Sequence, residues 1–196
     1  MGAMKAEGGP RLRADARRNR ELILAAADQA FAEEGVGVPV DEIARRAGVG
    51  AGTLYRHFPT KEALFAAVLE EHMARIVERG RELAGRDDPE QALFEFIGCL
   101  GAEAASKKSL IDALAGSGID IQERGKESKR AVEEVFGRLL SRAQAAGRVR
   151  PDVTVLDLFG LVMGTCAMAD RPAADTSQAR MLAVVCDGLR VGPEAT

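Results

Sequence analysis

The sequence predicts an all-α protein with a small N-terminal three-helix head and a larger C-terminal helical domain. Apolar residues recur at helical spacing along nearly all of the 196 residues, and no stretch alternates with a period of two. Two short helices around a glycine turn are predicted between Val38 and Leu64, running into a third helix. Hydrophobic residues make up 46% of the chain, so each part can bury a core.

The head begins with helix 1, which the pattern predicts for about residues 15–34. Its inward face carries apolar residues at i, i+3, i+4 and i+7, namely Ile23, Ala26, Ala27, Ala30 and Phe31. Gly35 then ends the helix. Helix 2 is predicted to start near Pro39, and Asp41 and Glu42 suit the positive end of its dipole.

The remaining helices follow from breaks in the pattern. Helix 3 is predicted for about residues 51–58, after which Pro59 breaks the helix and Thr60 caps helix 4, which continues to about residue 84. Helix 5, at about residues 90–105, is apolar on nearly every side and is therefore expected to be buried. Four more helices are predicted: a short one at about 110–115, a long one ending at Gly147, one opened by Pro151-Asp152 and running to about Ala169, and a last one at about 176–189.

The segment from Val38 to Leu64 meets the requirements of a helix-turn-helix. Ala44 is small enough for two helices to touch, and Gly48 tolerates the positive φ of the turn. The short helix 3 then carries four polar side chains, Thr53, Tyr55, Arg56 and His57. A short exposed helix of this kind enters the major groove of DNA.

Two of these side chains have an alternative interpretation. Tyr55, the only tyrosine of the chain, also fits a core aromatic residue whose hydroxyl reaches water. Arg56 fits either a base contact or an ion pair within the head.

Charge is distributed unevenly along the chain, whose net charge is −3. Residues 10–61 hold nine Arg and Lys against seven Asp and Glu, whereas residues 62–196 hold seventeen against twenty-two. A basic head on an acidic body suits a DNA-binding protein.

Several function classes lack support in the sequence. No apolar run is long enough to span a membrane, and the N-terminus lacks the apolar core of a signal peptide, so we expect a cytoplasmic protein without membrane partners. Cys99, Cys166 and Cys186 match no metal-binding spacing, and no nucleophile–base pair or phosphate loop is present. We therefore expect neither enzymatic activity nor a cofactor. The alternatives left open are an all-α enzyme and a helical protein-interaction module.

The residues that carry the head pattern resemble those of TetR-family transcriptional regulators. They are Ala25–Phe31 with Gly35, DEIARRAGV at 41–49, and TLYRHFPTKEAL at 53–64. The resemblance implies an all-α fold with a helix-turn-helix DNA-binding domain at residues 10–59 and a ligand-binding and dimerisation domain at residues 60–192. It also implies a homodimer on double-stranded operator DNA with an inverted repeat, and a repressor that a small-molecule effector releases.

The resemblance also places the DNA contacts. His57 and Lys61 stand where the family contacts phosphates, and Arg17 resembles its basic contact near the start of helix 1. The helix dipole disfavours a cation at Lys61 by about 0.3–1 kcal/mol, and a nearby phosphate would reverse that effect. The expected DNA-binding residues are Arg17, Thr53, Tyr55, Arg56, His57 and Lys61.

Two segments depart from the family pattern. Val38-Pro39-Val40 stands where the family often has a Thr or Ser that offers a hydroxyl to a phosphate. Gly50-Ala51-Gly52 opens helix 3, where small residues allow close backbone approach but contribute little to base recognition.

The C-terminal domain is expected to hold two further sites. Gly160 and Gly164, one helical turn apart, allow close helix packing, and the expected dimer interface is Leu156, Phe159, Gly160, Met163, Gly164, Met181, Leu182, Val185 and Leu189. The alternative is an ordinary packing face within the chain. The expected ligand-binding residues lie on the buried faces of helices that enclose the cavity in the family: Phe94, Ile97, Leu100, Phe136, Leu139, Met163 and Cys166. The alternative for each of them is a plain core residue without ligand contact. His72, Glu103 and Asp112 are candidate polar anchors for the ligand.

Overall fold

The computed structural model describes residues 9–115, 121–166 and 174–191, and all regular secondary structure within these ranges is helical. This confirms the predicted all-α class. The helices are α1 (Gly9–Glu34), α2 (Val40–Arg46), α3 (Ala51–His57), α4 (Lys61–Leu83), α5 (Pro89–Ser106), α6 (Lys108–Ala115), α7 (Ile121–Ala145), α8 (Val155–Cys166) and α9 (Ala174–Leu189). None of the described helices is long and apolar enough to cross a membrane.

Two helix starts differ from the sequence prediction. α1 begins at Gly9 rather than near residue 15, because its first turns are polar and leave no apolar stripe in the pattern. α8 begins at Val155 rather than at Pro151-Asp152, because Thr154 caps it. The Thr154 hydroxyl oxygen accepts a hydrogen bond from the Asp157 N–H at 3.3 Å, and Asp157 Oδ2 accepts one from the Thr154 N–H at 2.9 Å. This reciprocal arrangement is a capping box. The predicted end of α8 near Ala169 lies outside the described residues.

The described part of the chain folds into two compact units. The first contains the described residues within Met1–Val68 and Asp112–Ile119, and the second those within Leu69–Ile111 and Asp120–Thr196. The long helix α4 therefore supplies residues to both units. The predicted functional division between residues 59 and 60 stays a prediction.

The first unit is built around the predicted inward face of α1. Ile23, Ala27 and Ala30 are fully buried, and Phe31 meets the ring of Phe65 edge-on at a centroid distance of 4.7 Å. Gly35, with φ 75°, follows α1 and adopts a left-handed conformation that glycine tolerates best. The core of the head therefore joins α1 to the first turns of α4.

The second unit packs its apolar residues around α5. Phe96 is fully buried and meets Phe136 of α7 edge-on at 5.3 Å, and Phe136 meets Phe159 of α8 at 5.4 Å. Glycine allows a further close approach, since a Cβ added at Gly101 would lie 2.7 Å from Leu182 of α9. As the sequence predicted, α5 is the buried centre of this unit.

The C-terminal end of α4 is bound tightly to the second unit. A Cβ added at Gly80 would clash with Val135 Cγ1 and would lie 2.7 Å from Phe96 Cε2. Arg142 of α7 donates hydrogen bonds to the backbone oxygens of Ala84 and, at 2.7 Å, Arg86, just beyond the helix end. Only glycine therefore fits at position 80 without displacing core side chains.

We predict that Gly80→Ala lowers the free energy of unfolding by about 1–3 kcal/mol, because the new methyl group must displace packed side chains. Gly98→Ala in α5 is the matched control. Nothing lies within 4 Å of a Cβ built there, so this variant should be neutral or more stable by about 0.5–1 kcal/mol. Urea denaturation followed by circular dichroism measures both. Equal stability of the two variants would contradict the close approach at Gly80.

Candidate nucleic-acid interface

The helix-turn-helix is held together by a small core and a glycine turn. Ile43 and Ala44 of α2 and Leu54 of α3 are buried. Gly48, with φ 68°, makes the turn, and its N–H donates to the Arg45 carbonyl at 3.2 Å while the Val49 N–H donates to the Ala44 carbonyl at 3.0 Å. These two bonds form a Schellman motif, which ends α2 and directs the chain into α3.

α3 presents its polar side chains on the outside of the head. Tyr55 is 46% exposed, so its ring lies outside the core of the chain. Arg56 is exposed, and its Nε donates to the Gly52 carbonyl at 3.0 Å. Thr53 and His57 are half-buried at the edges of the helix. Four of the six residues expected to bind DNA therefore share one short helix and are at least partly accessible from solvent.

Lys61 is the first residue of α4, the helix that follows α3 in the sequence. Thr60 caps α4, since its hydroxyl oxygen accepts a hydrogen bond from the Ala63 N–H at 3.1 Å. Lys61 Nζ lies over the ring of Phe65, 5.7 Å from its centroid. A ring face attracts a cation but does not cancel its charge. The Lys61 ammonium is thus oriented and remains positive.

Arg17 of α1 pairs only locally. Its Nε lies 3.5 Å from the carboxylate of Glu21, and both side chains are largely exposed. Exposed ion pairs of this kind are weak and screened by salt, so a phosphate can replace the carboxylate.

Arg45 and Arg46, by contrast, are neutralised within the head. Arg46 pairs with Glu42 at 2.9 Å, with Glu33 at 2.8 Å and with Glu34, so it joins α2 to the last turn of α1. Arg45 pairs with Glu42 at 2.6 Å. The hydrogen bonds from Arg45 and then Arg46 lower the pKa of Glu42 from 4.5 to about 2. Both arginines are among the nine basic residues counted in residues 10–61, but the tertiary contacts use their charge internally.

In the second unit, the expected dimer residues fall into two groups. Leu156 and Met163 are 80% and 41% exposed, and Gly160 and Gly164 have nothing of this chain within 4 Å of an added Cβ. Leu182 is, however, buried in the core of the same chain. Leu189 is also buried in this core. The other three expected residues, Phe159, Met181 and Val185, are half-buried. The sequence missed further exposed apolar residues of α8, α9 and the residue after α9, namely Leu161, Val184 and Val191.

The seven expected ligand-binding residues differ in burial. Ile97, Leu100, Phe136 and Leu139 are buried in the packed core, whereas Met163 is exposed on α8. Phe94 lines an open cleft of about 710 Å³ with Asp88, Glu90 and Arg190, and the guanidinium of Arg190 lies 4.9 Å from the Phe94 ring centroid. A second cleft, of about 490 Å³, lies between α5 and α9 and includes Gln178. None of the seven expected residues lines that cleft.

Two of the expected polar residues, and one expected apolar residue, belong to polar contacts inside the second unit. His72 of α4 is 5% exposed and meets the carboxylate of Glu103 of α5, a contact that lowers the pKa of Glu103. Cys166 lies at 3.4 Å from Nε2 of Gln178, which donates to the Gly101 carbonyl at 2.9 Å. Burial raises the pKa of the Cys166 thiol. In the described ranges, no group of three or more His, Cys, Asp or Glu residues is arranged to hold a metal ion.

Known protein families and structures match most of the chain. A family model described as "Bacterial regulatory proteins, tetR family" matches residues 23–68. A second, described as "Transcriptional regulator SbtR-like, C-terminal domain", matches residues 88–191. The crystal structure of a TetR transcription regulatory protein from Mycobacterium vanbaalenii is 46% identical, covers 92% of this chain and 99% of that chain, and superposes with a TM-score of 0.74.

Two curated relatives add to this. The HTH-type transcriptional regulator UidR of Escherichia coli is 26% identical over 173 residues, which is 85% of this chain and 88% of UidR. The HTH-type transcriptional activator FasR of Mycolicibacterium smegmatis is 43% identical over 98 residues, or 45% of this chain and 44% of FasR. These matched families consist of transcriptional regulators, which are not enzymes.

The C-terminal family model alone spans more than half of the 196 residues. Its match, the N-terminal model and the helix-turn-helix geometry agree. The chain therefore belongs to the TetR family of bacterial regulatory proteins and is a DNA-binding transcriptional regulator.

Proposed function

We propose that the protein is a repressor that binds an inverted-repeat operator as a homodimer and releases it when a small-molecule ligand binds. The observation that carries this proposal is the exposure of the polar side of α3, with Tyr55 46% exposed on a helix whose Leu54 is buried. Such a helix offers base contacts while its apolar side stays in the head. Operators of bacterial genes lie in the cytoplasm, where the protein would act.

The proposed DNA contacts have separate tasks. Thr53, Tyr55 and Arg56 of α3 are proposed to contact base edges, which distinguish sequences. Arg17, His57 and Lys61 are proposed to contact phosphates, which position the head on the duplex. The accessible charge of Lys61 over the Phe65 ring supports its part in this set.

A homodimer would form through the exposed apolar face of α8 and α9, supported by Leu156, Gly160, Met163, Gly164 and Val184. An apolar face of this kind is unfavourable in water unless a partner covers it. Two small residues one turn apart let a second helix approach closely. A C2 dimer would present two recognition helices to half-sites about 34–36 Å apart.

Ligand release is proposed to act through α4. This helix supplies Lys61, a proposed phosphate contact, and also Gly80, which is tightly packed against α5 and α7. A ligand that moves α5 or α7 would therefore move α4 with them, and the phosphate contact would change. Of the two clefts described, the one between α5 and α9 is the more apolar candidate for the ligand, lined by Gly98, Ala102 and Leu182 among others.

A second candidate function is transcriptional activation, favoured by the 43% identity to the activator FasR over 98 residues. A reporter gene placed behind the bound promoter distinguishes the two candidates. Deletion of the regulator raises expression if it is a repressor and lowers expression if it is an activator.

Our prediction for DNA binding concerns an operator fragment selected from genomic DNA by the protein itself. Affinity should fall steeply with salt, by about 0.9 in the log–log slope for each phosphate contact. Lys61→Ala removes one such contact in each subunit, so the slope should flatten by about 1.8 for a dimer. Fluorescence anisotropy at several salt concentrations measures it. The control is Arg138→Ala, which removes an exposed charge on α7 and should leave the slope unchanged. An unchanged slope for Lys61→Ala would remove Lys61 from the phosphate contacts.

For assembly, we predict a homodimer without DNA, measured by light scattering at micromolar concentration. Replacing Gly160 and Gly164 by Leu should produce monomers, because the larger side chains keep a partner helix at a distance. Arg138→Leu adds the same side chain on α7 and should remain dimeric. A monomeric wild type would refute the proposed interface, and a dimeric double variant would place it elsewhere.

For regulation, we predict that a compound that raises the melting temperature of the protein also weakens operator binding by about 5–150-fold. Operator DNA must then weaken binding of the compound by the same factor, since the coupling is reciprocal. Titrations of each ligand with and without the other measure both factors. A compound that binds the protein and leaves operator affinity unchanged, or increases it, would contradict the release mechanism.

A further inference from the structure

Basic side chains of the head are held in two different ways. Arg45 and Arg46 are held by carboxylates, which cancel their charge. Arg20 of α1 and Lys61 of α4 are held by aromatic rings, which orient a cation and leave its charge in place. Arg20 belongs to none of the motif segments that identified the DNA-binding surface.

The ring that holds Arg20 belongs to the end of the recognition helix. The Arg20 guanidinium carbon lies 5.0 Å from the centroid of Phe58, the residue that follows α3. Phe58 is 3% exposed, so its ring is a fixed support for the half-buried arginine. The ring of His57, a proposed phosphate contact, lies 6.3 Å from the same ring. Arg20 is thereby placed at the junction of α3 and α4, the part of the head that carries His57 and Lys61.

One guanidinium nitrogen of Arg20 is not used by the described part of the chain. This nitrogen, Nη1, is buried and has no hydrogen-bond acceptor there, whereas the Arg20 residue as a whole is only half-buried. A buried donor without an acceptor is unfavourable, so Arg20 favours a position in which its guanidinium meets an acceptor. Because the residue is only half-buried, an external acceptor can reach its exposed part. A phosphate group matches a guanidinium in charge and in the spacing of its oxygens.

We propose that Arg20 is a DNA-backbone contact that Phe58 positions, and that it binds a phosphate at the α3–α4 junction. This rests on the proposed DNA-binding surface and extends it by a second residue of α1, beside Arg17. Arg20, His57 and Lys61 then engage the backbone from α1, α3 and α4, so the phosphate contacts fix the orientation of the recognition helix relative to the duplex.

The test measures the salt dependence of binding for wild type, Arg20→Ala, Arg20→Gln and Arg20→Lys, on the operator fragment and on an unrelated duplex of equal length. Arg20→Ala and Arg20→Gln should flatten the log–log slope by about 1.8 per dimer on both duplexes, because phosphate contacts do not depend on sequence. Arg20→Lys should keep the slope, since the charge remains, and should bind more weakly, since the planar fork is lost. Arg45→Ala is the matched control: it removes an arginine of the same head that Glu42 already neutralises, so the slope should stay near that of wild type.

Circular dichroism first confirms that each variant is folded, and Arg20→Gln serves if Arg20→Ala is not. The proposal is overturned if Arg20→Ala and Arg20→Gln keep the wild-type slope on either duplex. If they keep that slope but bind more weakly, Arg20 only supports Phe58 and contacts no phosphate. A wild type that binds operator and unrelated duplex equally would instead refute the proposed operator recognition. The slopes on the unrelated duplex would still decide the role of Arg20.

Discussion

The recognition helix depends on tertiary packing, because a helix of seven residues is too short to be stable alone in water. α3 persists because Leu54 is buried with Ile43 and Ala44 of α2, and because the Gly48 turn fixes the angle between the two helices. Tyr55 and Arg56, on the polar side of α3, are exposed and lie outside this packing. Their side chains are therefore accessible for the proposed DNA contacts.

Electrostatics in the head follow from which partner each cation has. The last turn of α1 carries Glu33 and Glu34, an unfavourable place for acids at the negative end of a helix dipole. Arg46 of α2 relieves this and joins the two helices. Because Arg46 uses its positive charge inside the head, we propose that the attraction for phosphates depends on the other cations of the head. Aromatic rings hold two of these, Arg20 and Lys61, without cancelling their charge.

In the second unit, two glycines allow neighbouring helices to approach each other closely. Gly80 lets α4 touch Val135 and Phe96, and Gly101 lets α5 touch Leu182. Packed contacts of this kind transmit displacement, because protein interiors are nearly incompressible. By contrast, nothing of the same chain lies within 4 Å of a Cβ added at Gly160 or Gly164 of α8. Their open surroundings fit a partner from outside the chain.

Local patterns in the sequence determined the helical class, most helix bounds, the inward face of α1 and the burial of α5, because residues three and four apart must share a side. They also determined the helix-turn-helix, whose small core, glycine turn and exposed α3 all lie within one short segment. Interactions between residues distant in sequence were decided by the tertiary structure alone. Arg46 pairs with Glu33 and Glu34, which lie 13 and 12 residues away in the sequence, and Arg20 lies over the ring of Phe58. Gly80 is packed against Val135 and Phe96, and Leu182 is packed against Gly101. Periodicity identifies an apolar face but not the helix that covers it, so it assigned Leu182 and Leu189 to an interface although they fill the core of their own chain.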